Sequence, residues 1–320
     1  MPHQPGTSDV VLRAVGLTKC YGDLRAVDDL SFEVRRGEIL GFLGPNGAGK
    51  TTTLKMLCGL LRPDKGQIVL HGRPLDPSSA AAFRSIGVAP QATIVWDALT
   101  CFEQLDFMGR MYGLPGRLAR RRADDLLAAF GLVEKRNKLG RTLSGGMQRR
   151  LNTALALVHE PAILFLDEPQ AGLDPQSRVF VREYVRALAG RTTIVLTTHD
   201  MEEAEKLSER VCIIDHGRLL LLETVDSVKG KLGEGDLFEV EVGEGAAVDV
   251  TTFVAELRGR LPSLAAEGRT LRFTSPDAAA ALPTVFGAIR DRGLRVAHLR
   301  VRERTLEDVF IHLTGRGLRE

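Results

Sequence analysis

The sequence of 320 residues has no long apolar run, and this absence argues against a membrane-spanning helix within it. A transmembrane helix needs roughly 20 apolar residues. The longest candidates, residues 163–166 and 219–222, have only the length of strands. The first nine residues contain neither a basic start nor an apolar stretch, so we expect no signal peptide there.

The sequence also contains few cysteines, and its net charge is small. The four cysteines are scattered without a CxxC pair, at Cys20, Cys58, Cys101 and Cys212. This spacing disfavours a zinc site or a disulfide framework, and we expect free thiols in a reducing cytosol. The net charge of +2 is too small to indicate a nucleic-acid partner, and we expect none. The remaining composition is that of an ordinary globular protein.

Up to about residue 223, short apolar runs alternate with helical patterns. Residues 39–43, 163–166 and 193–196 form runs typical of strands in a sheet that is covered on both faces. Between them, Leu151, Ala154, Leu155 and Val158 follow the spacing of one helical face. This alternation predicts an α/β domain, for which we expect residues 10–228.

The pattern changes near Lys229, where residues 229–236 are rich in glycine and charge and are typical of a linker. Beyond them, Phe238, Val240 and Val242 alternate with acids, which predicts a half-buried strand. Near the end, Thr305 and Asp308 have the spacing of a helix capping box. We therefore expect a second, small α+β domain over residues 236–320.

A complete phosphate-binding loop pattern follows the first buried run. It consists of Gly44, Pro45, Asn46, Gly47, Ala48, Gly49, Lys50 and Thr51, and continues into a predicted helix at Thr52. Glycines let backbone N–H groups turn toward an anion, and the helix N-terminus adds further donors. In such loops the lysine reaches the β- and γ-phosphates and the hydroxyl binds Mg²⁺. The pattern predicts that this chain binds a nucleoside triphosphate with Mg²⁺.

Two adjacent acids, Asp167 and Glu168, end the apolar run at residues 163–166. Acids at a strand end are often merely solvated, but here a phosphate-binding loop accompanies them. The carboxyl ends of strands are where α/β sheets bind ligands. We expect Asp167 to hold Mg²⁺ and Glu168 to act as the general base toward water.

The segment containing Ser144, Gly145 and Gly146, preceded by Leu143, resembles the signature motif of ABC ATPases. Further landmarks follow in the order of that family, at Tyr21, Gln91, Asp174 and His199. The resemblance covers roughly residues 10–225. It implies that Tyr21 stacks on adenine, that Gln91 approaches both the metal and the reaction centre, that Asp174 lies in the D-loop and that His199 is the switch histidine.

The same resemblance implies an architecture and a mechanism. The fold would be a P-loop NTPase of the ABC type, with a helical subdomain beside the sheet. Two nucleotide-binding domains, which we expect to be identical, would close head to tail on two ATP molecules, so that the loop at Lys50 faces Ser144 of the partner copy. Closure would move a separate transmembrane permease, which places this chain peripherally on the cytoplasmic face of the membrane.

Two residues depart from the common family pattern: Met147 replaces Gln or Glu, and Gln170 replaces Thr. The tail at residues 304–316 is similar to that of daunorubicin-resistance ATPases, which implies export of a drug or another hydrophobic compound. The ATPase of an importer and a soluble non-transport ABC ATPase remain the alternatives. Trp96, which follows Gln91, fits either core packing or an interface anchor.

Overall fold

The computed structural model describes residues 9–76, 78–231, 235–243 and 263–314, together with residues 254, 257, 259 and 261. These residues fall into two compact units that divide between Thr224 and Val225. The helices are α1 (Lys50–Leu57), α2 (Ala80–Arg84), α3 (Cys101–Met111), α4 (Gly116–Ala129), α5 (Gly145–Leu157), α6 (Pro175–Leu188), α7 (Met201–Leu207), α8 (Val225–Gly230), α9 (Ala278–Asp291) and α10 (Leu306–Thr314).

The strands form three sheets. They are β1 (Val10–Tyr21), β2 (Leu24–Arg35), β3 (Ile39–Leu43), β4 (Lys65–Leu70), β5 (Arg73–Pro74), β6 (Ile86–Ala89), β7 (Ile163–Asp167), β8 (Thr193–Thr198), β9 (Arg210–Asp215), β10 (Arg218–Thr224), β11 (Asp236–Val242), β12 (Ala265–Glu267), β13 (Thr270–Ser275) and β14 (Val296–Arg302). Their orders are β2-β1-β4-β5, β10-β9-β3-β8-β7-β6 and β12-β13-β11-β14.

The six-stranded sheet organises the first unit. Its strands from β9 to β6 run parallel, and β10 pairs antiparallel with β9. Every residue of β3, β7 and β8 is buried. Alternate side chains of β7 enter different cores, because Leu164 and Leu166 join one cluster while Ile163 and Phe165 join the other. The sheet is therefore covered on both faces, as the apolar runs predicted.

One face carries a helical subdomain, which confirms that part of the predicted fold. The helices α3, α4 and α5 pack together, burying Leu105, Ala123, Leu126 and Leu151. Thr100 begins α3 with a complete capping box to Glu103. Among the described residues, no helix combines the length and the apolar content required to cross a bilayer.

The antiparallel sheet of β1, β2, β4 and β5 lies over the other core. Its long strands were not predicted, because register shifts interrupt their alternation, for example between Ala14 and Leu17 of β1. Each shift moves the following side chains to the opposite face, which conceals the two-residue period.

The second unit is an antiparallel sheet whose Phe238, Val240, Leu271 and Phe273 form a core with α9. The predicted capping box is present, since Thr305 Oγ1 accepts from the Asp308 N–H and an Asp308 oxygen accepts from the Thr305 N–H. Helix α10 contacts α8, and Leu306, Val309 and Phe310 of α10 are buried.

The predicted linker differs from the structure at its start, because Lys229 and Gly230 belong to α8 rather than to a loop. Val225 and Val228 are buried in that helix, which favours a helical turn over an extended linker. The rest of the prediction falls partly on residues 232–234, which lie outside the described residues, as do residues 1–8.

Candidate active site

The phosphate-binding loop joins β3 to α1, and its backbone surrounds the side chain of Lys50. Lys50 is buried, and its Nζ donates to the carbonyl oxygens of Gly44 at 2.8 Å and Pro45 at 3.0 Å. Burial lowers the Lys50 pKa, whereas the nearby charges of Glu168 and Asp167 oppose that change. The predicted loop therefore exists as a curled backbone around a cationic centre, with Asn46 and Gly47 exposed at its tip.

Two glycines of this loop with positive φ differ in what surrounds them. Gly49 has φ 98°, and a Cβ added there would lie 2.3 Å from the carbonyl oxygen of Ala26. Gly47 has φ 82° but faces open space. Gly49 thus lets the loop approach β2 closely, while Gly47 leaves the mouth of the loop free for a ligand.

The structure brings Thr51 and Asp167 together. Thr51 Oγ1 donates to Asp167 Oδ1 at 3.2 Å, and Thr197 Oγ1 donates to the same oxygen at 2.6 Å. Asp167 is buried at the end of β7, and Thr197 lies beside it in β8. The carboxylate is thereby fixed at the foot of the phosphate-binding loop. Thr52 lies one residue further along α1 and is half-buried.

Glu168 is the meeting point of the predicted catalytic side chains. Gln91 Nε2 donates to its Oε2 at 3.2 Å, and His199 Nδ1 lies 3.0 Å from its Oε1. Lys50 Nζ is 4.0 Å from the same Oε1. Side chains from three other segments, all distant in sequence, therefore converge on one carboxylate at the carboxyl edge of the parallel sheet.

The backbone of Glu168 is itself unusual, with φ 47°. This left-handed conformation costs a residue other than glycine about 1–3 kcal/mol and persists only where the surroundings hold it. Its N–H donates to the Oγ1 of Thr197 at 3.0 Å and to the carbonyl oxygen of Thr197 at 3.1 Å. The turn aims the side chain away from the strand direction and toward the loop partners.

The signature residues occupy a different place. Ser144 caps α5 by accepting from the N–H of Met147, and a Cβ added at Gly145 would meet nothing within 4 Å. Gly146 faces Asp174, which caps α6 by accepting two hydrogen bonds from Ser177 that lower its pKa. The contacts found among the described residues do not bring Ser144 to the phosphate-binding loop.

Two predicted aromatic positions are exposed. Tyr21 ends β1 with half of its surface accessible. Trp96 packs edge-on against Phe107, with ring centroids 5.7 Å apart, and both remain partly exposed, as do Ile94 and Met111 nearby in sequence. Neither aromatic residue lies in a buried core.

Sequence comparison assigns this arrangement to a family. The model of the ABC transporter family matches residues 27–171. The daunorubicin resistance ATP-binding protein DrrA3 of Streptomyces coeruleorubidus is 39% identical over 309 residues, which cover 96% of this chain and 97% of that protein. The chain belongs to the ABC transporter ATP-binding family. The resemblance predicted from the motifs is confirmed, and the chain is an ATP-binding ATPase of that family.

Two further relatives agree. The Nod factor export ATP-binding protein I of Ralstonia nicotianae is 41% identical over 328 residues, covering 100% of this chain and 98% of that protein. The solved structure of cbiO1 from Clostridium perfringens, described as part of the ABC transporter complex cbiONQ, has 27% sequence identity and a TM-score of 0.63, and covers 79% of this chain and 96% of that one.

Sequence reasoning missed three residues that hold this ABC site together. The Thr197 hydroxyl contacts both acids, because it donates to the Asp167 carboxylate and accepts from the Glu168 N–H. Arg149 and Asn152 of α5 bond backbone oxygens beside Gln91. The signal that the sequence offered for Arg149 was a charged residue at a helix position, which the structure shows to be buried.

Proposed function

We propose that this chain hydrolyses ATP with Glu168 as general base and thereby drives an exporter through a separate membrane permease. The observation that carries the proposal is the convergence of Gln91, His199 and Lys50 on Glu168. A carboxylate with these neighbours can accept a proton from water placed between it and a γ-phosphate. His199 and Gln91 orient that carboxylate and the water.

The phosphate-binding loop supplies the positive side of the site. Lys50 exchanges its bonds to Gly44 and Pro45 for oxygens of the β- and γ-phosphates, and the N–H groups of residues 46–51 surround the phosphates. Tyr21 stacks on the adenine ring, for which its exposed face leaves room.

The oxygen atoms beside the loop suit Mg²⁺ as ligands. Thr51 Oγ1 and Asp167 Oδ1 are hard oxygen donors 3.2 Å apart, and Gln91 adds an amide oxygen in the same region. Mg²⁺ prefers oxygen ligands and is commonly held by one or two protein groups together with phosphates and water. When bound, the ion neutralises charge on the phosphates. Thr197 keeps the Asp167 carboxylate oriented for it.

The site is completed by a second copy of the chain. Ser144, Gly145 and Gly146 lie at the exposed start of α5, where backbone N–H groups lack helical partners. These donors suit a γ-phosphate bound to the loop of the opposing copy. Asp174, beside Gly146, lies at the same surface. Hydrolysis then requires head-to-tail closure of two identical domains.

Relatives with near-complete coverage carry names of drug resistance and of export, which supports export of a drug or another hydrophobic compound over import. The partner is a transmembrane permease on a separate chain, at the cytoplasmic face of the cell membrane. The exposed residues Ile94, Trp96, Phe107 and Met111 follow Gln91 in sequence, and the contacting pair of Trp96 and Phe107 suits contact with that partner. No role in nucleic-acid binding is proposed.

We propose that residues 10–228 contain the ATP-binding domain, whose compact unit ends at Thr224, and that residues 236–320 form an accessory domain that regulates the protein or supports its dimer. The accessory domain has its own core around Phe238 and Phe273, and no catalytic group of the site belongs to it.

The experiment isolates the tagged chain from host membranes and compares wild type with Lys50→Ala. A membrane protein with several spanning helices should co-purify with both forms, and only the wild type should hydrolyse ATP. Cells carrying only the variant should accumulate more of an exported test compound. Lower accumulation in those cells would indicate import, and absence of any membrane partner would contradict the transporter assignment.

A further inference from the structure

The Arg149 guanidinium, at the second turn of α5, bonds only backbone carbonyl oxygens from two segments of the site. Its Nη1 donates to Pro90 at 3.1 Å and to Gln91. Its Nη2 donates to Asp167 at 3.0 Å and to Glu168, and its Nε donates to Pro169 at 3.3 Å. A guanidinium has five N–H donors, and this set of acceptors engages all five.

This arrangement is costly for a structural role alone. Arg149 is 5% exposed, and burial lowers its pKa, although the charges of Asp167 and Glu168 oppose that change. A buried cation is tolerated only where its donors are well satisfied. Here the backbone carbonyl groups satisfy the guanidinium. Each of the two segments that supply them contains a proposed catalytic residue, Gln91 in one and Glu168 in the other.

We propose that Arg149 is the positioning residue that fixes Gln91 and Glu168 relative to each other, and so links the signature helix α5 to the catalytic strand β7. It bonds the carbonyl of Glu168, whose left-handed backbone needs support from its surroundings. It also bonds the carbonyl of Gln91, whose amide reaches the Glu168 carboxylate.

Asn152, one turn further along α5, strengthens the same link. Its Nδ2 donates to the carbonyl of Pro90 at 3.2 Å, and its Oδ1 accepts from the N–H of Ile94 at 3.3 Å. The segment around Gln91 is therefore bound to α5 at several points, whereas Glu168 is bound to α5 through Arg149. A displacement of the helix that carries Ser144 is transmitted to Glu168 through the Arg149 guanidinium, and to the segment around Gln91 through Arg149 together with Asn152.

The test uses the full chain and compares Arg149→Gln and Arg149→Lys with Arg150→Gln. Arg150 precedes Leu151 on the same helix, but it bonds the carbonyl of Phe130 and stacks on Phe180, away from the site. Arg149→Gln should lower kcat about 10- to 100-fold, the range expected for a small displacement of reacting groups. Arg149→Lys, with three donors for five acceptors, should be intermediate.

Three measurements separate positioning from general damage. The affinity for a non-hydrolysable fluorescent ATP analogue should change less than about threefold in both Arg149 variants, because their phosphate-binding loop is intact. Arg150→Gln should retain its kcat. The double variant Arg149→Gln/Glu168→Gln should hydrolyse ATP within about threefold of Glu168→Gln alone, because the position of a missing base no longer matters. Independent, multiplicative losses would overturn the proposal.

The inference rests on the proposed roles of Gln91 and Glu168, and the same assay distinguishes the two failures. If Glu168→Gln is inactive while both Arg149 variants turn over at the wild-type rate, only the positioning role is wrong. If Glu168→Gln turns over normally, the proposed base is wrong, and the role of Arg149 in placing it falls too. If Arg149→Gln does not fold, Arg149→Lys decides the matter, because it keeps the charge.

Discussion

Replacing Gly49 by alanine should damage the phosphate-binding loop far more than the same change at Gly47. Both glycines have positive φ, at 98° and 82°, so alanine is strained at either position by about 1–3 kcal/mol. Only at Gly49 does the new Cβ collide, lying 2.3 Å from the Ala26 carbonyl oxygen. That carbonyl is also approached by Gly217, where an added Cβ would lie 2.7 Å away, so the surrounding backbone is crowded on two sides.

The difference between the variants isolates the collision. Overpacking a rigid site costs roughly 1–3 kcal/mol. A middle value of about 2 kcal/mol corresponds to roughly 4–8 °C in the Tm of a domain of this size. Gly49→Ala should therefore melt that much below Gly47→Ala in differential scanning fluorimetry of the proteins without nucleotide.

Nucleotide adds a second comparison. A ligand at 100 times its Kd stabilises a protein by about 2.7 kcal/mol, so MgATP should raise the Tm of the wild type by several degrees. Gly49→Ala should lose most of this increase, because relieving the collision moves the backbone that surrounds the phosphates. Equal melting temperatures for the two variants, or a full MgATP response in Gly49→Ala, would contradict the close approach to β2.

Three other changes test individual parts of the account. Tyr21→Ala should weaken ATP binding more than Tyr21→Phe, because stacking uses the ring and not the hydroxyl; equal affinities for Tyr21→Ala and wild type, measured by titration, would reject the adenine role. His199→Ala should slow hydrolysis strongly with little change in ATP binding, since His199 contacts the Glu168 carboxylate; a matching loss of both would argue against the switch role. A chain ended at Thr224 should fold and bind ATP, because the first unit has its own cores, yet self-associate more weakly in light scattering; a folded product that cannot bind ATP would place the tail in the active site.

The sequence was sufficient for those parts of the site in which one short segment carries its own chemistry. The loop around Lys50 and the acids Asp167 and Glu168 lie next to the strands that position them, so local pattern and tertiary placement coincide. The catalytic roles of Gln91 and His199 were expected only through the family resemblance, and their convergence on one carboxylate was not predicted. No local rule relates residues that are 77 and 31 positions away from Glu168.

The role of Arg149 shows why the rest could not be predicted. The spacing of Leu151, Ala154, Leu155 and Val158 predicts a helix with one apolar face. In the structure α5 is buried over most of its length, and Arg149, Asn152 and Thr153 are buried with the apolar residues. Their partners are backbone groups, which every sequence supplies equally, so no pairing of residue types could reveal them.

Strands were missed where regular alternation fails. β1 and β2 contain several register shifts, and β12 is a three-residue strand, Ala265–Glu267, with no β-branched or aromatic residue. In both cases the pairing strands stabilise the conformation, and these contacts are remote in sequence.

The rate of ATP hydrolysis by Glu168→Gln tests the central claim most directly. The matched control is Glu160→Gln, because Glu160 is a second glutamate with positive φ, at 54°, and pairs with Arg122 on the surface. If Glu168 is the general base, its variant should lose about 10²- to 10⁴-fold in kcat, should still bind MgATP, and should accumulate as an ATP-bound dimer. The control should hydrolyse ATP at the wild-type rate, and Glu168→Gln turnover equal to that of the control would contradict the account.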